Sequence, residues 1–264
     1  MKAGCAALTT AAILAVAGSA DARPLRVLSL DQCADQYVLA LAPDAELALS
    51  PRADDPDAWM RAAARGHRRV RPTLEAAVAI QPDVVVRYWG GEPRLLAALT
   101  DRGARVVTIG DATDFAGVRD QIRTVGDALG QPARADALIA GMDDRLKLAA
   151  QSPSQNSSAL YLTAGGFTAG RGTLIDAIMD AAGYANLAAP GFGAVSVERI
   201  ALTPPALFVL GFFDQVRADW RGAGRHPVVR RAAEGRTAAR LPAAALTCPA
   251  WFAADSAVIL AQAR

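Results

Sequence analysis

Short apolar runs typical of β-strands alternate along the chain with stretches of helical periodicity. The helical stretches carry apolar residues at i, i+4 and i+7, as at Ala34, Val38 and Leu41. Such alternation is typical of α/β proteins with mainly parallel sheets, and we expect that fold class here. The predicted strands are Arg26 to Leu30, Glu46 to Leu49, Asp83 to Arg87, Arg105 to Ile109, Ala159 to Thr163 and Ala206 to Leu210.

The alternation stops in the middle of the chain. Phe115 to Leu129 has the pattern of one helix, and a second helix is predicted from Gln131-Pro132 to about Ala150, since proline is favoured in a first turn. A polar, serine-rich stretch follows and ends it. The sequence therefore predicts two α/β lobes, residues 23–112 and 157–264, joined by a helical connection over residues 113–156.

Residues 1–22 have the composition of a secretory signal peptide. Lys2 precedes a mostly apolar run, and the small residues Ala20 and Ala22 fit a cleavage site before Arg23. The apolar run is shorter than the about 20 residues that a membrane-spanning helix needs. We therefore expect export, removal of residues 1–22 and a periplasmic mature chain that does not span the membrane.

The overall composition excludes several classes of protein. Hydrophobic residues make up 52% of the 264 and charged residues 20%, with a net charge of +2. These values exclude a disordered chain and a polytopic membrane protein, and the length suffices for a substantial core. Arginines occur beside acidic residues throughout, so the charge gives no reason to expect a nucleic-acid partner.

Two cysteines, Cys33 and Cys248, remain after the predicted cleavage. Export leads to an oxidising compartment, where two thiols can pair. We hypothesise a Cys33–Cys248 disulfide that closes nearly the whole chain. The alternative is two separate buried thiols.

Motifs for catalysis and metal binding are missing from the sequence. His67 and His226 stand far apart, without HExxH, Cys-x-x-Cys or an acidic cluster near either. There is no Gly-x-Ser-x-Gly elbow and no complete glycine-rich dinucleotide loop. We therefore predict no catalytic residue and no metal site. The alternative hypothesis is an exported α/β hydrolase or metal-dependent enzyme that uses Asp31, Asp35 and a histidine.

Large aromatic residues stand beside glycines at three places after predicted strands or in loops. These are Tyr88-Trp89 before Gly90-Gly91, Phe167 after Gly165-Gly166, and Phe192 between Gly191 and Gly193. Ligands of parallel sheets bind at the carboxyl ends of the strands. Aromatic rings on such turns would give an apolar wall there, so we expect a binding cleft. Alternatively, each ring caps the core of its own lobe.

Four segments of the sequence carry a resemblance when taken in order: 26–30, 74–86, 168–187 and 195–200. Together they resemble the periplasmic substrate-binding proteins of ABC importers for iron complexes and cobalamin. The resemblance covers nearly the whole mature chain and is greatest to the cobalamin-binding members. That family has two α/β lobes bridged by one long helix, and its members are carriers, not enzymes.

The resemblance implies roles for individual residues. Aromatic rings would line the pocket, arginines at the cleft would hold anionic groups of the ligand, and a polar segment after the first strand would border the cleft. At that segment the chain departs from its relatives, many of which carry Ser-Pro and Thr-Glu. The implied ligand-binding residues are Tyr88 or Trp89, Phe167, Phe192, Arg87, Arg171, Asp31 and Gln32.

The resemblance also implies partners. Glu92 and Glu198 match the two glutamates that the family presents to arginines of the inner-membrane permease, which works with its own ATPase. Glu198 has an alternative structural role in a helix first turn capped by Ser196.

We expect a monomer without a cofactor of its own. The transported ligand would be cobalamin, a ferric siderophore or haem, and Tyr88 could ligate a haem iron. A sensor or scaffold protein that uses the same cleft is a third hypothesis.

Overall fold

A computed structural model describes residues 23–152, 157–215 and 222–263. The predicted signal peptide, residues 1–22, lies outside the described residues. Among the helices of the described ranges, none combines the length and the apolar character needed to cross a membrane.

The first lobe is built on a five-stranded sheet in which every strand pair is parallel. The strand order is β3-β2-β1-β4-β5. Val27, Leu28 and Val85 are buried at its centre, as expected for a parallel sheet covered on both faces. Its elements are β1 (Arg26–Ser29), α1 (Gln32–Leu41), β2 (Glu46–Leu49), β3 (Arg68–Arg69), α2 (Leu74–Ile80), β4 (Val84–Arg87), α3 (Pro93–Thr100) and β5 (Arg105–Thr108).

Two consecutive helices connect the sheets, α4 (Phe115–Ala128) and α5 (Pro132–Ala150). The carboxylate of Asp114 caps α4 by accepting a 2.8 Å hydrogen bond from the Gly117 N–H. Pro132 occupies the first turn of α5, where its missing N–H costs nothing. With 19 residues, α5 is roughly 28 Å long, about the width of one lobe.

The second lobe has a parallel four-stranded sheet in the order β11-β10-β6-β8 and a separate antiparallel ribbon of β7 and β9. A short 3₁₀ turn at Ala223–Arg225 precedes α8. The elements are β6 (Ser157–Thr163), β7 (Phe167–Ala169), α6 (Leu174–Ala181), β8 (Tyr184–Asn186), β9 (Phe192–Ala194), α7 (Val197–Leu202), β10 (Leu207–Gly211), α8 (Pro227–Ala233), β11 (Thr237–Leu241), α9 (Ala243–Leu246) and α10 (Ala253–Gln262).

The predicted fold class is confirmed. All six predicted strands are present within two residues of their expected bounds, and the two predicted central helices are α4 and α5. The sequence pattern missed five strands: β3, β7, β8, β9 and β11. Four of them have only two or three residues, too few for an alternating pattern, and β11 has small and charged side chains instead of an apolar run.

The C-terminal part of the chain returns to the first lobe and packs against it. Helix α10 packs along α5, and Trp59 stacks on Phe252 with ring centroids 5.1 Å apart. The Tyr37 hydroxyl donates a 2.7 Å hydrogen bond to the Pro249 carbonyl. These contacts hold the two lobes against each other beside the central helices.

Candidate functional site

The carboxyl ends of both sheets face one cavity. In the first sheet β1 lies between β2 and β4, and in the second β6 lies between β8 and β10, so the strand order reverses beside each of these central strands. Crevices at such reversals are the usual ligand sites of parallel sheets. Residues that follow β4, β5, β6 and β10 line a single cavity of about 470 Å³.

Tyr88 forms part of the first-lobe wall of this cavity. Its hydroxyl donates a short hydrogen bond to Oδ1 of Asp111, which follows β5. Burial raises the pKa of Tyr88, and the Asp111 carboxylate raises it further. The cavity therefore presents a neutral phenol whose proton is directed at a carboxylate.

The Asp31 carboxylate fixes the turn that carries Tyr88. Oδ1 of Asp31 caps α1 by accepting from the N–H groups of Cys33 and Ala34 at 3.1 and 3.0 Å. Oδ2 accepts from the N–H groups of Tyr88, Trp89 and Gly90 at 2.7, 3.1 and 2.9 Å. One carboxylate thus fixes both the start of α1 and the aromatic turn.

The glycine in this turn is required by close approach of the backbone. A Cβ at Gly90 would lie 2.5 Å from the carbonyl oxygen of Leu30. Nε of Arg87 donates to the Gly90 carbonyl oxygen, so this guanidinium is engaged by its own turn. The glycine at position 90 is therefore a consequence of the close contact between the chain after β4 and the chain after β1.

The opposite wall comes from the β7–β9 ribbon. Phe167 pairs with Ala194, and Ala169 pairs with Phe192, so both rings project from the same face of the ribbon. Phe167 is 57% exposed and Phe192 is 80% exposed, and both line the cavity. Their exposure excludes the alternative in which these two rings cap the core of the second lobe.

The second sheet adds Tyr161, Thr163 and Phe212 to the cavity, and the segment from Ala245 to Pro249 closes one side. The sequence pattern did not single out these residues or Asp111. Tyr161 resembles any core residue of a buried strand, and Phe212 carries no nearby motif. Only the strand order, which is a long-range property, could have placed them here.

The structure brings some predicted ligand-binding residues together and separates others. Tyr88, Phe167 and Phe192 share the cavity. Trp89, adjacent to Tyr88, is 60% exposed and does not line it. Arg171 is exposed and lines a neighbouring concavity of the second lobe that also includes Phe192.

Asp31 and Gln32 were expected to border the cleft, and the structure places both beneath its surface instead. Each is 2% exposed, and neither lines the cavity. Asp31 is buried because its carboxylate accepts hydrogen bonds from five backbone N–H groups, which surround both of its oxygens. Gln32 lies in the first turn of α1 directly after it.

Within the described residues, the side chains on which the enzyme hypothesis depends do not form a catalytic or metal site. Asp31 and Asp35 are buried, and Asp35 accepts hydrogen bonds from the N–H and hydroxyl of Ser50. His226 caps α8, its Nδ1 accepting from the Val228 N–H at 3.3 Å. Across the described ranges, no three His, Cys, Asp or Glu side chains are grouped as a metal site requires.

Cys33 and Cys248 are joined by a disulfide, with their Cα atoms 5.4 Å apart. Cys33 belongs to α1 of the first lobe, whereas Cys248 lies in the segment that closes the cavity. The bond therefore ties one wall of the cavity to the opposite lobe.

Glu92 and Glu198 are exposed, one on each lobe. Glu92 lies at the N-cap position of α3 but makes no capping hydrogen bond. Ser196 caps α7, and its hydroxyl donates to Glu198 at 2.8 Å. The Glu198 backbone N–H and this hydroxyl lower the pKa of Glu198, so it is ionised at neutral pH.

A larger concavity of about 940 Å³ lies between α8 and the edge strand β11. Only the second lobe lines it, and Arg225, Arg230, Arg231 and Arg240 contribute to its surface. Two of these arginines lie in the last turn of α8, where a cation is favoured by the helix dipole. The interlobe cavity is the stronger candidate because aromatic rings from both lobes line it: the half-buried Tyr88 from the first, and the exposed Phe167 and Phe192 from the second.

Comparison with known proteins gives consistent results. A family model described as "Periplasmic binding protein" matches residues 29–226. A protein named "Cobalamin-binding protein" from Halobacterium salinarum is 30% identical over 202 residues, which are 72% of this chain and 55% of that protein. The chain thus spans about half the length of the curated relatives it matches.

Solved structures share the fold. A possible iron-binding (periplasmic solute-binding) protein from Staphylococcus epidermidis matches with a TM-score of 0.70 at 16% identity, covering 91% of this chain and 98% of that one. A periplasmic heme-binding protein from Pseudomonas aeruginosa matches with a TM-score of 0.62 at 24% identity, covering 91% and 94%.

Proposed function

Because the chain belongs to the periplasmic binding protein family, we propose that it is the substrate-binding component of an ABC importer and captures a bulky metal chelate between its lobes. The family consists of binding proteins, so the chain would release its ligand chemically unchanged. Delivery to a permease, and through it to the associated ATPase, would complete its role. Its place of action would be the periplasm.

One observation carries this proposal: aromatic side chains from both lobes line the same cavity. Tyr88 lies on the first lobe, and Phe167 and Phe192 lie on the ribbon of the second. Exposed apolar groups that cluster around one cavity often mark a ligand site, and flat rings suit a large, partly apolar ligand. Contact with both lobes would make binding depend on their relative position.

The charges around the cavity favour cobalamin among the three candidate ligands. Among the described lining residues, Asp111 is the only charged one, and neither arginine nor lysine is present. A strongly anionic ferric siderophore would lack a cationic partner there, which is costly in a desolvated site. The likeness to the cobalamin-binding protein of Halobacterium salinarum supports the same choice.

Haem is the second candidate, because of the Tyr88–Asp111 pair. A phenol that ligates ferric iron must lose its proton, and Asp111 is already the acceptor of that hydrogen bond. The raised pKa of Tyr88 opposes this step, so iron ligation would require transfer of the proton to Asp111.

We propose that binding involves only a small closure of the lobes. Helix α5 has no interior proline, and Gly141 is its only glycine. The disulfide and the Tyr37–Pro249 hydrogen bond add a second connection between the lobes. The cavity would thus be largely formed before the ligand arrives, which reduces the entropic cost of binding.

The proposed docking to the permease uses Glu92 and Glu198. Both carboxylates are exposed and lie on different lobes, so together they could set the orientation of the molecule on a membrane partner. Neither side chain lines the cavity. Docking and ligand binding would therefore be separable by mutation.

Ligand titration of the purified chain tests the proposal. Cyanocobalamin, hemin and an anionic ferric catecholate siderophore would be titrated separately by tryptophan fluorescence and calorimetry, and we expect the tightest binding for cyanocobalamin. Phe167→Ala and Phe192→Ala should each weaken it about tenfold or more. Leu202→Ala is the matched control, since Leu202 is at least as exposed as either ring but lies on α7 outside the cavity. Failure of all three ligands to bind would refute the proposal.

A further inference from the structure

The cavity contains a buried hydroxyl without a partner. Tyr161 is 2% exposed and lines the cavity, and its hydroxyl has no hydrogen-bond partner among the described residues. Buried hydroxyl groups are nearly always paired, because an unpaired one loses its bonds to water without replacement. Tyr161 is therefore an exception that needs a cause.

The position of the ring shows where this hydroxyl points. Tyr161 pairs with Val209 on the neighbouring strand β10, yet its hydroxyl lies beside Gly211, two residues nearer the carboxyl end. A Cβ at Gly211 would be 2.3 Å from the hydroxyl oxygen. The ring therefore runs along the sheet towards the cavity, and Gly211 leaves the room that it needs.

Phe212, the residue after Gly211, also has an unfavourable backbone conformation. Phe212 has φ of +62°, a left-handed conformation that residues other than glycine rarely adopt, and it too lines the cavity. Strained residues persist where the surrounding structure holds them, and they cluster at ligand sites. An unpaired phenol and a strained phenylalanine thus meet at the end of β10, on the second-lobe side of the cavity.

Other buried polar atoms do not share this setting. Nε2 of Gln32 and Oγ of Ser256 also lack partners among the described residues, but neither residue lines the cavity. Among the buried side-chain atoms of the described residues that lack a partner, only the Tyr161 hydroxyl belongs to a residue that lines the cavity.

We propose that the Tyr161 hydroxyl donates a hydrogen bond to an amide carbonyl oxygen on a side arm of the bound ligand, so that Tyr161 selects ligands with amide side arms. This inference rests on the proposed function. Burial raises the pKa of Tyr161 and keeps the phenol protonated at neutral pH, so its hydroxyl is able to donate this hydrogen bond. A carboxylate arm would accept the same bond, but it would enter a cavity without a described cationic lining residue.

The test is Tyr161→Phe, which removes the hydroxyl and keeps the ring. Cyanocobalamin, which carries peripheral amides, and hemin, which carries carboxylates, are the probes. We expect Tyr161→Phe to bind cyanocobalamin about tenfold more weakly than the wild type, with hemin affinity unchanged within twofold. The stability of the free protein should not fall, because the removed hydroxyl had no partner to lose; a purely structural role would lower it.

Tyr184→Phe is the matched control. Tyr184 is a buried tyrosine of the same lobe that does not line the cavity, so its replacement should leave both affinities unchanged. Equal cyanocobalamin affinity of Tyr161→Phe and wild type would overturn the inference while the proposed function stands. Tighter binding of hemin than of cyanocobalamin by the wild type would overturn the amide assignment. Failure of the wild type to bind any chelate would instead refute the proposed function.

Discussion

The backbone N–H of Tyr88 donates a 2.7 Å hydrogen bond to Oδ2 of Asp31, a residue that lies 57 positions earlier in the chain. The same carboxylate holds the start of α1 through its other oxygen. The position of the ring that lines the cavity is therefore determined by a side chain that the ligand would not touch.

Asp31→Ala should consequently affect both stability and ligand binding. The change leaves buried N–H groups of the turn and of α1 without an acceptor, and we expect a loss of about 2–4 kcal/mol in the free energy of unfolding. Urea denaturation measures this loss, and titration with cyanocobalamin measures the effect on binding. Asp114→Ala is the control: it removes the cap of α4, should cost about 1 kcal/mol, and should leave binding unchanged. Equal effects of both changes would show that Asp31 is an ordinary helix cap.

The disulfide should contribute strongly to stability. Its two cysteines are separated by 215 positions, and the loop-entropy model gives about 5 kcal/mol for a closed loop of this length. Urea unfolding of the Cys33→Ser/Cys248→Ser double variant should show a loss of that order. Unfolding of the wild type with a reductant should reproduce it. Intact mass under non-reducing conditions provides the direct check, and two free thiols in the purified mature chain would contradict the pairing.

Asp35 should make stability fall as pH rises between about 4 and 6. Burial raises its pKa from 3.8 to about 6, despite the hydrogen bonds from Ser50. The folded protein therefore binds more protons than the unfolded chain in this window, and folding becomes less favourable as the pH increases, by about 3 kcal/mol in total. Above the folded pKa the loss is complete and constant.

Asp35→Asn separates this effect from other titrations. An asparagine can keep both contacts with Ser50, by accepting from its N–H and donating to its hydroxyl. The stability of the variant relative to wild type should rise by up to about 3 kcal/mol from pH 4 to pH 7, as measured by urea unfolding at several pH values. Asp44→Asn, the same replacement at an exposed position, serves as the control. A pH-independent difference between Asp35→Asn and the wild type would contradict the raised pKa of the buried Asp35.

Gly211→Ala should displace the Tyr161 ring. The new Cβ would lie 2.3 Å from the hydroxyl oxygen and 2.7 Å from a ring carbon, so either the strand or the ring must move. We expect a cost of about 1–3 kcal/mol, typical of overpacking, and weaker ligand binding. Gly193→Ala is the control, because no atom lies within 4 Å of the added Cβ. Chemical denaturation of the two variants side by side tests the difference. A Gly211→Ala protein as stable as the wild type would show that the Tyr161 ring or strand β10 can move at little cost in free energy.

Reversal of the docking charges should separate transport from binding. The Glu92→Lys/Glu198→Lys double variant should reduce uptake of labelled ligand by cells that express the partner permease about tenfold or more, because opposite charges become like charges at the contact. Ligand affinity in solution should not change. Glu234→Lys, another exposed position, is the control. Normal uptake by the double variant would remove these glutamates from the docking surface.

The sequence predicted local structure well because the local signals were strong. Val84 to Val86 form an apolar run that only a buried strand explains, and Pro132 starts α5 where the pattern places it. The two-residue strand β3 and the ribbon of β7 and β9 lack such signals, since their pairing is set by distant partners. Tertiary contacts decide these elements.

The residues of the candidate site also fall into two groups, those that the sequence could predict and those that it could not. Phe167 and Phe192 could be found because large rings beside glycines are unusual in sequence. Asp111, Tyr161 and Phe212 could not, because only the order of strands in the two sheets brings them to the cavity. The family resemblance implied that Asp31, directly after β1, borders the cleft, whereas the structure buries it. Its burial follows from five backbone amides, which no sequence pattern reveals.

The Cys33–Cys248 bond also bears on how the protein would respond to proteolysis. A protease that cuts any single peptide bond between these residues leaves two fragments that stay covalently attached. Molecules cut once would keep both lobes together, so cleavage of one exposed loop need not abolish ligand binding. Only a second cut within the enclosed segment, or a reductant, would let part of the molecule diffuse away.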